Sequence, residues 1–328
     1  MEEKLSANPF YDFVYQTSVA SLVPKERKLI ALSASLTVLE ATRVLNIKRI
    51  LSAPVFSDEH TCIGSVDMLD VVSSLLQKKN MSKTLVKDII GISGRNPLMP
   101  FYSQNPMSML VEVMALGQQR VALFSADRQL LHTCSQTDAV NAIATMIDKH
   151  ASLQKFSKQT LKDLSIGQSP VPSVTSKSSV QSALDKLFLK DHDVMMSSIA
   201  LVDGDGKLVG NFSASDLRGV GADDLASDIR STMTIDGYLR KHSPGSLSCK
   251  TVNLTDSFAS LVKYVVKNHV HKVWVVDSDS KPTHVISLTD IIKIISSGEK
   301  VTAREISGDQ DVTRLWVAPS CVVSSVKD

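Results

Sequence analysis

Four aspartates stand at matched places along the chain: Asp70, Asp138, Asp216 and Asp290, separated by 68, 78 and 74 residues. Each follows a short β-type stretch and opens an amphipathic run, in GSVDMLDVVSSLL (64–76), TCSQTDAVNAIATMI (133–147), NFSASDLRGV (211–220) and HVISLTDIIKII (284–295). Serine stands three residues ahead of the last three, as Ser135, Ser213 and Ser287, and Asp67 stands ahead of the first. Two chemistries fit. Ser-x-x-Asp at a helix start is a capping pattern, in which the carboxylate satisfies free N–H groups and suits the positive end of the dipole. A carboxylate at the same place also accepts two hydrogen bonds from a vicinal diol such as that of ribose, each worth about 1.5–3 kcal/mol. The residue pattern leaves both open. Fourfold recurrence at a strand-to-helix junction favours a polar ligand.

Ser135, Ser213 and Ser287, with Thr137 and Thr289 beside the aspartates, add hydroxyls for ribose or phosphate. A nucleotide also needs cations for its phosphates. Candidates at the start of the preceding strand are Arg120 in QQRVALF and His271 and Lys272 in HVHKVWVV, whereas Lys48 and Arg49 read as solvated charges.

The elements that must hold these residues repeat with them. A helix-like run precedes an apolar strand four times: LTVLEATRVL before SAPVF, MSMLVEVMAL before VALF, VQSALDKLFL before SIALVD, and DSFASLVKYVV before KVWVVD. Opening strands are read at LIALS (29–33), VPSVTS (171–176) and Thr251-Val252. Each unit is therefore strand, helix, strand, strand, helix, an α/β (α+β) repeat, with hairpin turns at Asp203-Gly-Asp-Gly206 and Asp277-Ser-Asp-Ser280. Units of about 60 residues cannot bury both faces alone, so they are expected to pair two by two. The expected repeats span 15–80, 84–150, 160–222 and 232–297, followed by a tail over 298–328 in which Trp316 and Val317 pack back. The boundary between the pairs is expected between Lys149 and Lys162, and an exposed connection over 219–231.

Composition bounds the rest. The 36 basic and 34 acidic residues leave a net charge of +2 and are interspersed, which gives nucleic acid no support as a partner. No apolar run approaches the ~20 residues of a membrane span, and MEEKLSANPF lacks the features of a signal peptide, so a soluble intracellular chain is expected. Cys62, Cys134, Cys249 and Cys321 stand far apart, signalling neither zinc nor a disulfide framework. Asp203-Gly-Asp-Gly-Lys207 is no calcium loop, because Ala214 stands where the bidentate glutamate would. No nucleophile elbow, Walker A motif or kinase catalytic loop is present; no catalytic residue, metal or cofactor is expected, and the chain reads as a non-enzyme.

HVHKVWVVDSDSKPTHVISLTDII (269–292) and GDGKLVGNFSASDLRGV (204–220) resemble the cystathionine-β-synthase (CBS) domain, and four copies resemble the gamma regulatory subunits of AMP-activated/SNF1-type protein kinases. The resemblance covers roughly residues 15–297. It implies two Bateman modules of two repeats each, assembled as a pseudo-symmetric disc that binds AMP, ADP or ATP. It implies ribose binding at Asp70, Asp138, Asp216 and Asp290 and phosphate contact at His271 and Lys272, Lys272 standing where arginine is common. Asp67 replaces the usual Ser or Thr and makes the first site less welcoming to phosphate, which ranks Asp290 first and Asp70 last. His132 stands where small residues are usual, and Ser197 and Ser198 stand in the place of a cation. The implied partners are kinase alpha and beta subunits in a heterotrimer, in the cytoplasm and nucleus. The alternative is an interaction scaffold or phosphatase inhibitor in which ligand binding is incidental.

Overall fold

The computed structural model describes residues 9–22, 29–94, 96–188, 198–219 and 233–296. The tail expected over 298–328, Ser197, and the connection expected over 219–231 from residue 220 onward lie outside the described residues. After the N-terminal helix α1 (Pro9–Gln16), repeat 1 comprises β1 (Leu32–Ser33), α2 (Val38–Ile47), β2 (Ser52–Phe56), β3 (Cys62–Asp67) and α3 (Met68–Leu76). Repeat 2 comprises β4 (Pro100–Tyr102), α4 (Met107–Ala115), β5 (Arg120–Phe124), β6 (Leu130–Ser135) and α5 (Gln136–Lys149), followed by α6 (Ala151–Phe156). Repeat 3 holds β7 (Ser173–Thr175), α7 (Val180–Phe188), β8 (Ser198–Val202) and β9 (Leu208–Ser213), and the run after Ser213 is a short 3-10 helix (Ala214–Gly219). α8 (Ile235–His242) leads to repeat 4: β10 (Thr251–Val252), α9 (Phe258–Asn268), β11 (Lys272–Val276), β12 (Pro282–Ser287) and α10 (Leu288–Ser296).

The four sheets are built alike, each with its first strand parallel to the second and the second antiparallel to the third. The hairpin register also recurs, with a shift at the same place in each: Val55/Phe56, Leu123/Phe124, Leu201/Val202 and Val275/Val276. The Asp203 and Asp277 turns form as the sequence indicates. Asp203 Oδ1 accepts from Asp205 N and Lys207 N at 2.9 Å each, and Asp277 Oδ1 from Asp279 N at 3.0 Å and Lys281 N at 2.8 Å. These side chains replace the backbone bonds that the reversal forgoes. Gly206 takes φ +81°, a conformation cheap for glycine. A local capping box starts α2: Thr37 Oγ1 accepts from Glu40 N at 3.3 Å while the Glu40 carboxylate accepts from Thr37 N at 2.8 Å.

Consecutive repeats are tied together by an exchange of lead-in segments. The backbone that precedes repeat 1 completes repeat 2: Val19 N donates to Asn105 O, and Met107 N to Thr17 O. The backbone that precedes repeat 2 completes repeat 1, through Val38 N to Thr84 O and Val86 N to Leu36 O. The second half does the same. Leu161 N donates to Asp256 O and Phe258 N to Gln159 O, while Val180 N donates to Met233 O and Ile235 N to Ser178 O. Repeats 1 and 2 thus form one module and repeats 3 and 4 the other.

The apolar helix faces pair the other way. One core joins repeat 2 to repeat 4 and to α1, packing Phe10, Met107, Leu110, Val140, Ile143, Leu261, Val265, Ile291 and Ile295. The second joins repeat 1 to repeat 3 through Val38, Leu45, Val71, Val72, Leu184, Leu187, Leu217 and Tyr238. The modules are therefore held to each other by buried hydrophobic side chains, each fully buried one worth about 1.5–3 kcal/mol.

Candidate functional site

The shared hairpin register places the candidate residues. The first residue of each second strand lies directly opposite the last residue of the third: Ser52 opposite Asp67, Arg120 opposite Ser135, Ser198 opposite Ser213, and Lys272 opposite Ser287. Directly opposed residues share a sheet face, their Cβ atoms about 4.5–5.5 Å apart. Repeats 2 and 4 therefore put a cation beside the serine that starts the final helix, and repeats 1 and 3 put a serine there. The crosswise core joins the two cation-bearing repeats to each other.

The cap and the ligand readings of the aspartates turn out to be compatible. In each repeat Oδ2 of the aspartate accepts the N–H three residues earlier: Asp67 to Asp70 at 2.9 Å, Ser135 to Asp138 at 2.8 Å, Ser213 to Asp216 at 2.7 Å and Ser287 to Asp290 at 2.8 Å. The serine hydroxyls donate to the same oxygen, at 2.7 Å in repeat 2, 2.8 Å in repeat 3 and 2.6 Å in repeat 4. One oxygen caps, so the other decides what else the carboxylate does.

In repeat 1 that second oxygen is taken by the protein, because Asp70 Oδ1 accepts from Ser93 N at 2.9 Å. Asp67 caps Leu69 N at 2.8 Å and Asp70 N at 3.0 Å and accepts from Asn96 Nδ2 at 2.5 Å. Burial, and then the Asp67 charge, push Asp70 up from 3.8 to about 6. In repeat 3, Asp216 Oδ1 accepts from Ser243 Oγ at 2.7 Å and from Ser246 Oγ, and the carboxylate is buried under that turn. In repeat 4, Asp290 is 7% exposed and its Oδ1 makes no hydrogen bond among the described residues.

Repeats 2 and 4 bring their helix starts together. Gln136 Nε2, on the first residue of α5, donates to Thr289 Oγ1 at 2.9 Å and to Met114 O at 3.2 Å. Asp138, Thr137 and Ser135 thus stand beside Asp290, Thr289 and Ser287 at two converging helix N-termini, where the dipoles favour an anionic group. Arg120 and Lys272, both partly buried, begin the flanking strands. His271 is exposed, and its carbonyl accepts from Leu288 N at 3.0 Å. Lys48 and Arg49 are exposed at the turn after α2. Ser213 and Asp216 lie apart from this cluster, in the other crosswise pair.

The cleft between repeats 1 and 2, lined by Ser52, Asp67, Asn96, Arg120 and Thr133, is narrow, about 20 Å³, room for a water. Among the described residues no group of three His, Cys, Asp or Glu side chains could hold a metal ion, and no helix is long and apolar enough to cross a membrane. Burial raises the thiols of Cys62 and Cys249, the latter to about 12, away from nucleophilic chemistry. Sequence reasoning missed Gln136, although it stands inside the motif. It also missed Ser93, Asn96, Ser243 and Ser246, which reach their carboxylates from 23 to 30 residues away without a local signal.

The CBS domain pattern matches residues 161–223 and 246–297, the stretches of repeats 3 and 4. The chain is 23% identical over 350 residues to the Arabidopsis thaliana SNF1-related protein kinase regulatory subunit gamma-like PV42b, covering 88% of this chain and 96% of that protein. It is 25% identical over 304 residues to protein SDS23 of Saccharomyces cerevisiae, covering 81% of this chain and 56% of that longer protein. Among solved structures, a Methanocaldococcus jannaschii protein offered as an archaeal homologue of γ-AMPK superposes with a TM-score of 0.69 at 14% identity, covering 84% of this chain and 99% of that one. Repeats 1 and 2 share the strand order, hairpin register and capped aspartate of the two repeats that the domain pattern matches. The chain carries the CBS domain pattern over repeats 3 and 4, repeats the same fold in repeats 1 and 2, and resembles the gamma regulatory subunits of AMP-activated/SNF1-type protein kinases.

Proposed function

We propose that the chain is a non-catalytic regulatory subunit that binds AMP, ADP or ATP where repeats 2 and 4 meet, and so adjusts a kinase of alpha and beta subunits in the cytoplasm and nucleus. The observation that carries this reading is Asp290: a carboxylate with one oxygen committed to its helix and the other without a protein partner among the described residues. A buried charge normally completes its hydrogen bonds, and a ribose diol supplies them. Ser287, Thr289, Asp138, Ser135 and Thr137 line the same junction, and Lys272, opposite Ser287, offers charge for phosphates. Asp70 and Asp216 are poorer ribose ligands, since the protein's own donors fill both of their oxygens. Nucleotides shift the kinase only through different affinities for its two states.

Titration with labelled AMP, ADP and ATP tests the reading. Asp290→Ala is expected to weaken binding about 30-fold, the equivalent of ~2 kcal/mol. The absence of saturable binding at millimolar nucleotide would overturn it.

A second reading is an interaction scaffold that docks a phosphatase and carries ligand sites without using them. Affinity purification from a native extract separates the two. Recovery of kinase alpha and beta chains supports the sensor, and recovery of a phosphatase catalytic subunit supports the scaffold.

A further inference from the structure

The 3-10 turn Pro244–Leu247 leaves α8 through Ser243, the helix's C-cap, whose N–H donates to Leu239 O. Ser243 Oγ and Ser246 Oγ, 3.4 Å apart, both donate to Oδ1 of Asp216, a carboxylate only 3% exposed. The turn lies directly on β9, where a Cβ on Gly210 would stand 2.9 Å from Ser246 O and 3.4 Å from Leu247 Cα. Pro244 and Gly245 are exposed and Ser243 is half-buried. Within the turn the backbone bonds are Ser246 N to Ser243 O at 3.0 Å and Ser248 N to Gly245 O at 3.2 Å, so a small local opening frees the Ser243 hydroxyl.

We propose that Ser243, in the sequence Arg240-Lys-His-Ser243-Pro244, is a phosphoacceptor for a proline-directed protein kinase, and that its phosphorylation expels the 243–248 turn from Asp216. In the transfer, Ser243 Oγ attacks the γ-phosphorus of ATP held by that kinase. The new O–P bond forms as the bond to the ADP oxygen breaks, the hydroxyl proton passes to the kinase's base, and ADP leaves.

The product exchanges a hydrogen-bond donor for a group of charge about −1.5 to −2, set against a buried carboxylate. It also places that charge at the C-terminal end of α8, where the helix dipole disfavours an anion. In the folded chain Arg240 is paired with Asp236 at 2.9 Å. Expulsion leaves Asp216 capped by Ser213, with Oδ1 open as it is in Asp290 among the described residues. The switch stands whether or not that oxygen then takes a nucleotide.

The test uses the full chain, a recombinant proline-directed kinase and ATP, with peptide mass mapping and hydrogen exchange before and after modification. Phosphate is expected at Ser243 of the folded chain, and the amides of 243–248 are expected to exchange about tenfold faster, the equivalent of ~1.4 kcal/mol, with α9 unchanged. Ser243→Ala, which adds no charge and leaves Ser246 in place, is expected to remove the phosphopeptide and change exchange less. No phosphate at Ser243 while a Ser-Pro control peptide is modified would overturn the proposal. So would a phosphorylated chain whose turn exchanges at the original rate.

Discussion

At the scale of single residues, the same aspartate does different work in each repeat according to what reaches its second oxygen. Asp70 shows the consequence of burial, and then of a neighbouring carboxylate, which raise its pKa against the hydrogen bonds that fill both of its oxygens. Its raised pKa means that folding binds a proton there. Its contribution to stability is full below its ordinary value near 4 and is lost as pH rises through about 6. The loss is on the order of 3 kcal/mol. Replacing Asp67 by Ser, as in the other repeats, removes the neighbouring charge but not the burial. Carboxyl NMR of Asp67→Ser should show Asp70 titrating below its wild-type midpoint yet above 3.8. The fall in unfolding free energy between pH 5 and 7 should shrink by roughly 1 kcal/mol. An unchanged pH profile would mean that Asp67 is not what Asp70 feels.

At the scale of elements, glycines decide which segments come close. Gly210 lets the 243–248 turn lie against β9, and the nearest atom to an added Cβ is backbone that no rotamer change can move. Gly210→Ala is therefore expected to cost about 1–3 kcal/mol in denaturant unfolding, and to loosen protection of 243–248 while sparing β1–β3. At Gly64 the obstacle is the Ile90 side chain, 2.5 Å from the built Cβ. Gly64→Ala should accordingly be relieved by Ile90→Ala in the double variant, which non-additive unfolding energies would reveal. Equal costs with and without Ile90 would place the strain elsewhere.

At the scale of the whole molecule, exchanged lead-ins make each module and crosswise cores join the modules, so neither half buries its helices alone. A chain ending at residue 158 would expose the α4–α5 face that packs Leu261, Val265 and Ile291, and the α2–α3 face that packs Leu184 and Leu217. Expressed separately, the two halves are expected to associate non-specifically. Mixed or co-expressed, they should give a one-to-one complex with native circular dichroism and a single unfolding transition. Two independently folded, monomeric halves in size-exclusion chromatography would contradict the crosswise core.

The repeat itself was legible in the sequence, because helix and strand periods are local and a capped aspartate at each final helix needs only neighbours within four residues. The opening strand β4 was not, since three residues led by a proline carry little pattern and are fixed by pairing with β5. The short helix after Ser213 likewise departs from the amphipathic run that was expected there. The cations were visible at Arg120 and Lys272, but that both belong to the repeats sharing one core was not. Sequence alone determined what each repeat contains, since backbone propensity, caps and turns act over one or two turns of chain. Only the tertiary structure decided which repeats share a core and which aspartate keeps an oxygen to spare, because those outcomes depend on side chains brought together from distant parts of the chain.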